Sequence, residues 1–449
     1  MVKEDPYRIG MLVTGFADYQ NDVGLKMAKK ACANLKKSGI NIVFIDDIVL
    51  TPVGGRKIAK RLLKEDICGV IFFHGTWTPP AIIIGAILEI EHLPLASWCF
   101  GIYDEDGRHE STGSIVASTV LRGTLEKMGK KCTYVLGDPD DENALRKIKV
   151  FSKSAITRRR LRDMRLGLVG YSAMGIYPGM FDHAMMRSKI GPEVVHIDTY
   201  SLIKRAEKSS TAERNRVITT IKKKAEIDKS VKTEMLQKAA GLYLGIKRLI
   251  KEQELNAINV KCQFELSQEY GCISCIPSSL LADENEVVSG CEGDIPLTVT
   301  MAILKYLTGE PANFGDVLEI EGNEIVISSC GYAVFRQAHP DDKKIIRDIG
   351  FKGFTGPICS FTAKEGKITY ARLVERQGKY YLYMGTGEGL RSERRQQRMP
   401  ALRVRLTTND IVKFWEHLNS HHYAFAYGNL KEELIELCRQ LDIEPVILD

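Results

Sequence analysis

Ile9-Gly10-Met11-Leu12-Val13, Ile42-Val43-Phe44-Ile45 and Gly69-Val70-Ile71-Phe72-Phe73 are short apolar runs, and what lies between them decides the fold class. Gly24 to Lys37 places Leu25, Met27, Ala28 and Ala31 on one helical stripe, and Gly55 to Glu65 reads as a second helix. Apolar strands that alternate with helices indicate a parallel sheet buried on both faces. Leu93-Pro94-Leu95-Ala96-Ser97-Trp98 adds a further strand.

The pattern starts again at Arg165-Leu166-Gly167-Leu168-Val169-Gly170-Tyr171, which reads as the first strand of a second α/β domain. The glycines from Gly167 to Gly175 do not have G-x-G-x-x-G spacing and no Walker lysine follows, so a tight strand-to-helix turn is expected rather than a nucleotide site. The preceding Thr157-Arg158-Arg159-Arg160-Leu161-Arg162 reads as a solvated helix end or subunit contact. Lys204 to Lys251 is helix-rich, Ile258 to Cys262 returns to strand, and Pro296 to Thr308 makes a helix. From Asn313 the texture becomes short strands and turns: Asp316-Val317-Leu318-Glu319-Ile320, Glu324-Ile325-Val326-Ile327, Ile368 to Leu373, and Lys379 to Tyr383. Gly322-Asn323 and Glu365-Gly366 are the expected hairpin turns. The expected architecture is α/β: two doubly wound, Rossmann-like parallel-sheet domains, then a C-terminal antiparallel β-barrel-like domain. Their boundaries are read as 1–160, 161–312 and 313–449.

Composition narrows the function. The chain has 449 residues, 44% apolar and 27% charged, the balance of an ordinary globular protein with a sizeable core. Its 63 basic against 57 acidic residues leave +6, too thin an excess over this length for nucleic acid to be the main ligand. No run approaches the ~20 apolar residues that span a bilayer, so no membrane role is expected. The first ten residues lack a charged-then-apolar signal pattern. Eleven cysteines scattered singly read as reduced core thiols, which places the protein in the cytoplasm. The one C-x-x-C pair, Cys272 and Cys275, would need Cys262 and Cys291 to hold zinc; Ile273 and Ile276 make the segment read instead as a buried strand.

Three segments carry chemistry. Gln263-Phe264-Glu265-Leu266-Ser267 follows a strand's carboxyl end, where parallel sheets bind ligands. Cys291-Glu292-Gly293-Asp294-Ile295-Pro296 precedes a helix, so Asp294 is explicable as an N-cap. Asn419-Ser420-His421-His422-Tyr423 lies in a polar turn. Two carboxylates and an imidazole suit Mn²⁺, Mg²⁺ or Fe²⁺ better than a closed thiolate zinc site.

These motifs, with Leu307-Thr308-Gly309-Glu310-Pro311, His421-His422-Tyr423-Ala424, Val195-His196-Ile197-Asp198 and Arg205-Ala206, resemble the superfamily of L-fucose and L-arabinose isomerases, particularly its shorter fucose-isomerase-like branch. The resemblance runs from about Met164 onward, and more weakly through the first domain at Gly75-Thr76-Trp77. It implies an Mn²⁺-like ion (Mn²⁺, or Mg²⁺ or Co²⁺) held by Glu265, Asp294 and His422, with Glu265 and Asp294 as the catalytic pair. Trp77 would pack on the sugar, in a neighbouring subunit's site. Lys261, Gln263 and Tyr423 are the further substrate-binding candidates. The chain departs from the family in being shorter than the best-known fucose isomerases, and in Ser328-Ser329-Cys330-Gly331, where some relatives carry a histidine.

The implied reaction is aldose–ketose isomerisation of a pentose or 6-deoxyhexose of the L-fucose, D-arabinose or L-arabinose type, through an ene-diolate. A sugar epimerase on the same scaffold and a non-catalytic sugar-binding protein are the rival readings. The resemblance also implies a homo-oligomer, trimer or hexamer, and the basic segment from Arg391 to Arg405 is a candidate surface for it.

Overall fold

The computed structural model describes residues 6–393 and 399–449; part of the basic segment, 394–398, lies outside the described residues. The chain divides into two compact units, Met1–Arg159 and Arg160–Asp449. The expected second and third domains fall together in the second unit.

The first unit is a five-stranded parallel sheet. Its strands are β1 (Arg8–Thr14), β2 (Ile42–Val49), β3 (Ile67–His74), β4 (Leu95–Cys99) and β5 (Thr133–Leu136), in the order β2-β1-β3-β4-β5. All eight residues of β3 are buried, as a central parallel strand requires. Helix Asn21–Lys37 buries Ala28 and Ala31 of the expected set, together with Cys32 and Leu35, and leaves Leu25 and Met27 half-buried. Helix Pro52–Leu63 is capped by Thr51, whose hydroxyl accepts from the Gly54 amide. The arginine run lies at the end of helix Glu142–Asp163, where Arg159 pairs with Asp66 at 2.8 Å.

The second unit begins with a four-stranded parallel sheet of β6 (Arg165–Val169), β7 (Glu193–Ile197), β8 (Ala257–Val260) and β9 (Val288–Cys291), in the order β9-β8-β6-β7. Six antiparallel strands then close into a barrel: β10 (Asn313–Glu321), β11 (Glu324–Ser328), β12 (Gly366–Arg376), β13 (Lys379–Leu390), β14 (Ala401–Leu406) and β15 (His422–Tyr427). The order is β12-β15-β10-β11-β14-β13, and β13 pairs back onto β12. Closure leaves those six strands without an open edge. A last strand, β16 (Glu444–Ile447), adds parallel to β13.

One apolar core joins this parallel sheet to the barrel. It runs from Leu166 and Leu168 through the buried helix Ile295–Thr308 to Ala371, Leu382 and Ala424 of the barrel. The helix is apolar nearly all round because it is sandwiched, which is why its sequence shows no solvent face. The fold is therefore mixed α/β, with parallel sheets and a closed six-stranded antiparallel barrel.

Two expectations need correcting. Glu365-Gly366 opens β12 rather than turning a hairpin; the turn joining β12 to β13 is Gln377-Gly378, whose φ values of 51° and 71° match a two-residue hairpin of the positive-φ kind. The C-x-x-C segment is buried but is not a strand: Cys275 opens helix Cys275–Glu284, whose faces are both covered, so burial alone had mimicked a strand.

Candidate active site

The site grows from the turn between β9 and the buried helix. Glu292 and Gly293 both have positive φ, 63° and 73°. A Cβ on Gly293 would sit 2.3 Å from the Tyr171 carbonyl oxygen, so only glycine fits there. Asn259 of β8 holds this turn: its Oδ1 accepts from the Gly293 amide at 2.7 Å, and its Nδ2 donates to the carbonyls of Cys291 and Asp294 at 2.9 and 3.1 Å. The turn places two carboxylates two residues apart on a rigid frame.

Asp294 is indeed the helix N-cap, its Oδ1 accepting from the Leu297 amide at 3.0 Å. Its Oδ2 accepts from Arg372 Nη1 at 2.7 Å and from His422 Nδ1 at 3.0 Å. The bland reading and the functional one thus hold for the same side chain. Burial opposes its ionisation, but the Arg372 charge and the His422 hydrogen bond prevail and hold the Asp294 carboxyl well below the usual carboxylate range.

His422 opens β15, where antiparallel pairing sets it opposite Asp316 of β10. Its Nε2 lies 3.6 Å from Glu292 Oε2 and 3.7 Å from Asp316 Oδ1. Burial favours the neutral ring, yet Asp294, Glu292 and Asp316 together raise its pKa. The His421 ring lies 3.8 Å from that of His422. His421 Nε2 is buried without a hydrogen-bond partner among the described residues, 3.9 Å from Glu292 Oε2. Burial pushes the Glu292 carboxyl up, and the two neighbouring imidazoles bring it net below its ordinary value. Asp316, with burial the larger influence, is raised. Glu292, His421 and His422 each offer one ligand atom within 4.8 Å of the others. An orphaned imidazole nitrogen beside a carboxylate and a second imidazole fits a divalent transition cation.

The other expected residues are placed as follows. Gln263-Phe264-Glu265 forms a γ-turn, with Phe264 at φ 66° and ψ −84° and the Glu265 amide donating to the Gln263 carbonyl at 3.1 Å. Turns of this hand are rare and strained, and such strain clusters at functional sites. Among the described residues the Glu265 carboxylate has one charged partner, Lys261, whose Nζ donates to Oε1 at 2.8 Å. Against the upward push of burial, Lys261 holds the Glu265 carboxyl below its ordinary value. Among the described residues no ion pair joins Glu265 to His422. Gln263 is buried with its Oε1 unpartnered.

Tyr423 is not brought to this cluster. Side chains alternate along β15, so Tyr423 faces the barrel interior against Tyr370 while His422 faces the helix turn. Trp77 belongs to the first unit, half-buried, stacked on Tyr19 at 5.9 Å and edge-on to Phe16 at 5.2 Å.

Glu292, Asp316, His421, Asn259 and Arg372 were missed. Arg372 carried a signal: a lone charge in the strand-like run Ile368 to Leu373 is an anomaly that a buried partner must explain. Asp316 carried none, because only the register of β10 against β15 brings it to His422.

Comparison with known proteins finds sugar isomerases. The family model for the L-fucose isomerase C-terminal domain matches residues 343–448. Sulfoquinovose isomerase of Priestia megaterium (strain ATCC 12872 / QMB1551) is 27% identical over 80% of this chain and 81% of its own. The sulfoquinovose isomerase of Alkalicoccus urumqiensis is 25% identical over 81% and 82%. The chain is similar to the L-fucose isomerase-like superfamily, and these matches support its membership there. It is an enzyme of the aldose–ketose isomerase class. A periplasmic solute-binding protein from Actinobacillus succinogenes 130z with bound D-allose aligns at 10% identity over 68% of this chain and 92% of that one, with a TM-score of 0.18, too low to inform the fold. Among the described residues no helix is long and apolar enough to cross a membrane.

Proposed function

We propose that the protein is a metal-dependent isomerase of a pentose, or of a hexose deoxygenated or substituted at C6, working through an ene-diolate. The observation that carries the reading is the convergence of Asp294, Glu292 and Asp316 on His422, with the unpartnered His421 Nε2 beside them. His422, His421 and Glu292 would hold the cation, Mn²⁺ or else Mg²⁺ or Co²⁺; the resemblance instead joins Glu265 and Asp294 to His422, and the two sets share that histidine. A divalent cation bound there supplies Lewis-acid polarisation of the sugar's carbonyl and adjacent hydroxyl.

The chain's own residues do the rest. Glu265, half exposed and kept ionised by Lys261, takes the proton from the carbon beside the carbonyl and returns it to the neighbouring carbon. Lys261 Nζ then donates to a sugar oxygen in place of the carboxylate, and Gln263 Oε1 accepts from a hydroxyl. Asp294 stays anionic beside Arg372. We place the protein in the cytoplasm as a homo-oligomer, a reading supported by eleven cysteines outside any disulfide and by the family.

The test is ketose formation by protein stripped with EDTA and reloaded with Mn²⁺. The sugars are L-fucose, D-arabinose, L-arabinose and sulfoquinovose, the last because the matched relatives bear its name. Mn²⁺-dependent turnover of one sugar, lost in Glu265→Gln with Mn²⁺ still bound, is expected. Solvent deuterium entering the sugar without ketose would overturn isomerisation in favour of an epimerase.

A further inference from the structure

Arg372 is among the largest fully buried side chains of the molecule, on β12 between Ala371 and Leu373 of the apolar core. Taking a guanidinium out of water costs several kcal/mol, and a well-packed apolar side chain would serve the core at least as well. Its contacts supply a different reason. Nη2 donates to the Pro178 carbonyl at 2.7 Å, and Nη1 donates to Asp294 Oδ2 at 2.7 Å, while Nε has no partner. The fork is thus fixed at both prongs.

Asp294 Oδ2 is the same atom that accepts from His422 Nδ1, and Asp294 Oδ1 is committed to the Leu297 amide. When the ring is neutral, a proton on Nδ1 leaves the lone pair on Nε2. That nitrogen faces Glu292 and Asp316. We infer that Arg372 is a positioning residue for the cation: by pinning Asp294 Oδ2 as the acceptor for His422 Nδ1, it fixes the tautomer and tilt of the imidazole and turns Nε2 toward the seat. This rests on His422 being a cation ligand, as proposed above. Outer partners of metal-bound histidines typically set metal affinity by about 10–100-fold.

The experiment measures Mn²⁺ affinity by electron paramagnetic resonance on the full chain, independently of turnover. Arg372→Lys keeps the charge but cannot hold both Asp294 and Pro178, and it weakens Mn²⁺ binding about tenfold; Arg372→Met weakens it about a hundredfold. Raising Mn²⁺ restores most of the kcat of Arg372→Lys. Should Arg372→Met fail to fold through its unpaired buried carboxylate, Arg372→Met combined with Asp294→Asn removes both charges and carries the same expectation. Affinity within about twofold of wild type in Arg372→Lys and in the double variant overturns the inference. A second arm reads the His422 ring nitrogens by ¹⁵N NMR in metal-free protein, raising the pH until the shifts themselves report a neutral ring. The wild type carries its proton on Nδ1, and the Arg372 variants lose that uniformity. A wild-type proton on Nε2 overturns the inference whatever the metal does. Wild-type protein that binds no Mn²⁺ sinks the cation reading, and the NMR arm alone then decides Arg372.

Discussion

The two most deeply buried histidines lie one in each unit, and the two are treated in opposite ways. His74 ends β3, its Nδ1 3.1 Å from the Thr14 hydroxyl and its Nε2 2.8 Å from that of Ser97, which continues to Ser118 at 2.8 Å. No charge touches the ring, so burial drives its pKa down from 6.5 to about 3. His422 is buried as deeply but among carboxylates, and its pKa rises. Burial is therefore not what marks a functional histidine. The charge of its partners is: hydroxyls satisfy a neutral ring, whereas convergent carboxylates leave room for a proton or a cation.

The largest effect that could break this contrast is at His422. His422→Asn is expected to abolish Mn²⁺ binding and lower kcat/KM by about a thousandfold, the several kcal/mol a catalytic cation supplies. Activity within tenfold of wild type would put the two histidines on the same footing.

Acid stability probes the other side. Because folded His74 stays neutral until about pH 3 while the unfolded chain takes up a proton near pH 6.5, the folded state binds fewer protons across that window. Its contribution is complete above pH 6.5 and lost progressively as pH falls toward 3, on the order of 5 kcal/mol in all. His74→Gln should leave kcat near wild type and flatten the pH dependence of Tm between those limits. An equally steep loss in the variant would show that other groups carry it.

The smallest effect is at the aromatic surface of the first unit. If Trp77 packs on the sugar, Trp77→Ala raises KM about tenfold with kcat little changed, the signature of lost uniform binding. Unchanged KM would make the first unit a scaffold, and the contrast between the regions complete.

Legibility differed between fold and site. The strands of the first unit were plain because parallel strands buried on both faces leave continuous apolar runs such as Gly69 to Phe73. The barrel was read from short strands and turns, but its closure was not, since the pairings of β15 onto β12 and onto β10 are long-range contacts with no local mark. At the site, Asp294 and His422 could be named from their motifs, and the structure brings them within 3.0 Å. Glu292 sat in view two residues from Asp294 and was passed over, because a glutamate beside a helix cap has an ordinary local explanation. Tyr423 is next to His422 in the chain, and adjacency along a strand puts neighbours on opposite faces.

By itself, the sequence determined the alternation of strands and helices, the change of texture near Asn313, and the motifs that point to a sugar isomerase. These are local: each follows from side-chain period, backbone freedom or a short motif. The tertiary structure alone decided which charges meet. Asp316 reaches His422 through strand register, Arg372 reaches Asp294 from 78 positions away, and His421 keeps a nitrogen without a partner. The reason is physical. Electrostatic coupling depends on distance in space and on exclusion of water, and only the packed helix turn against the barrel supplies both.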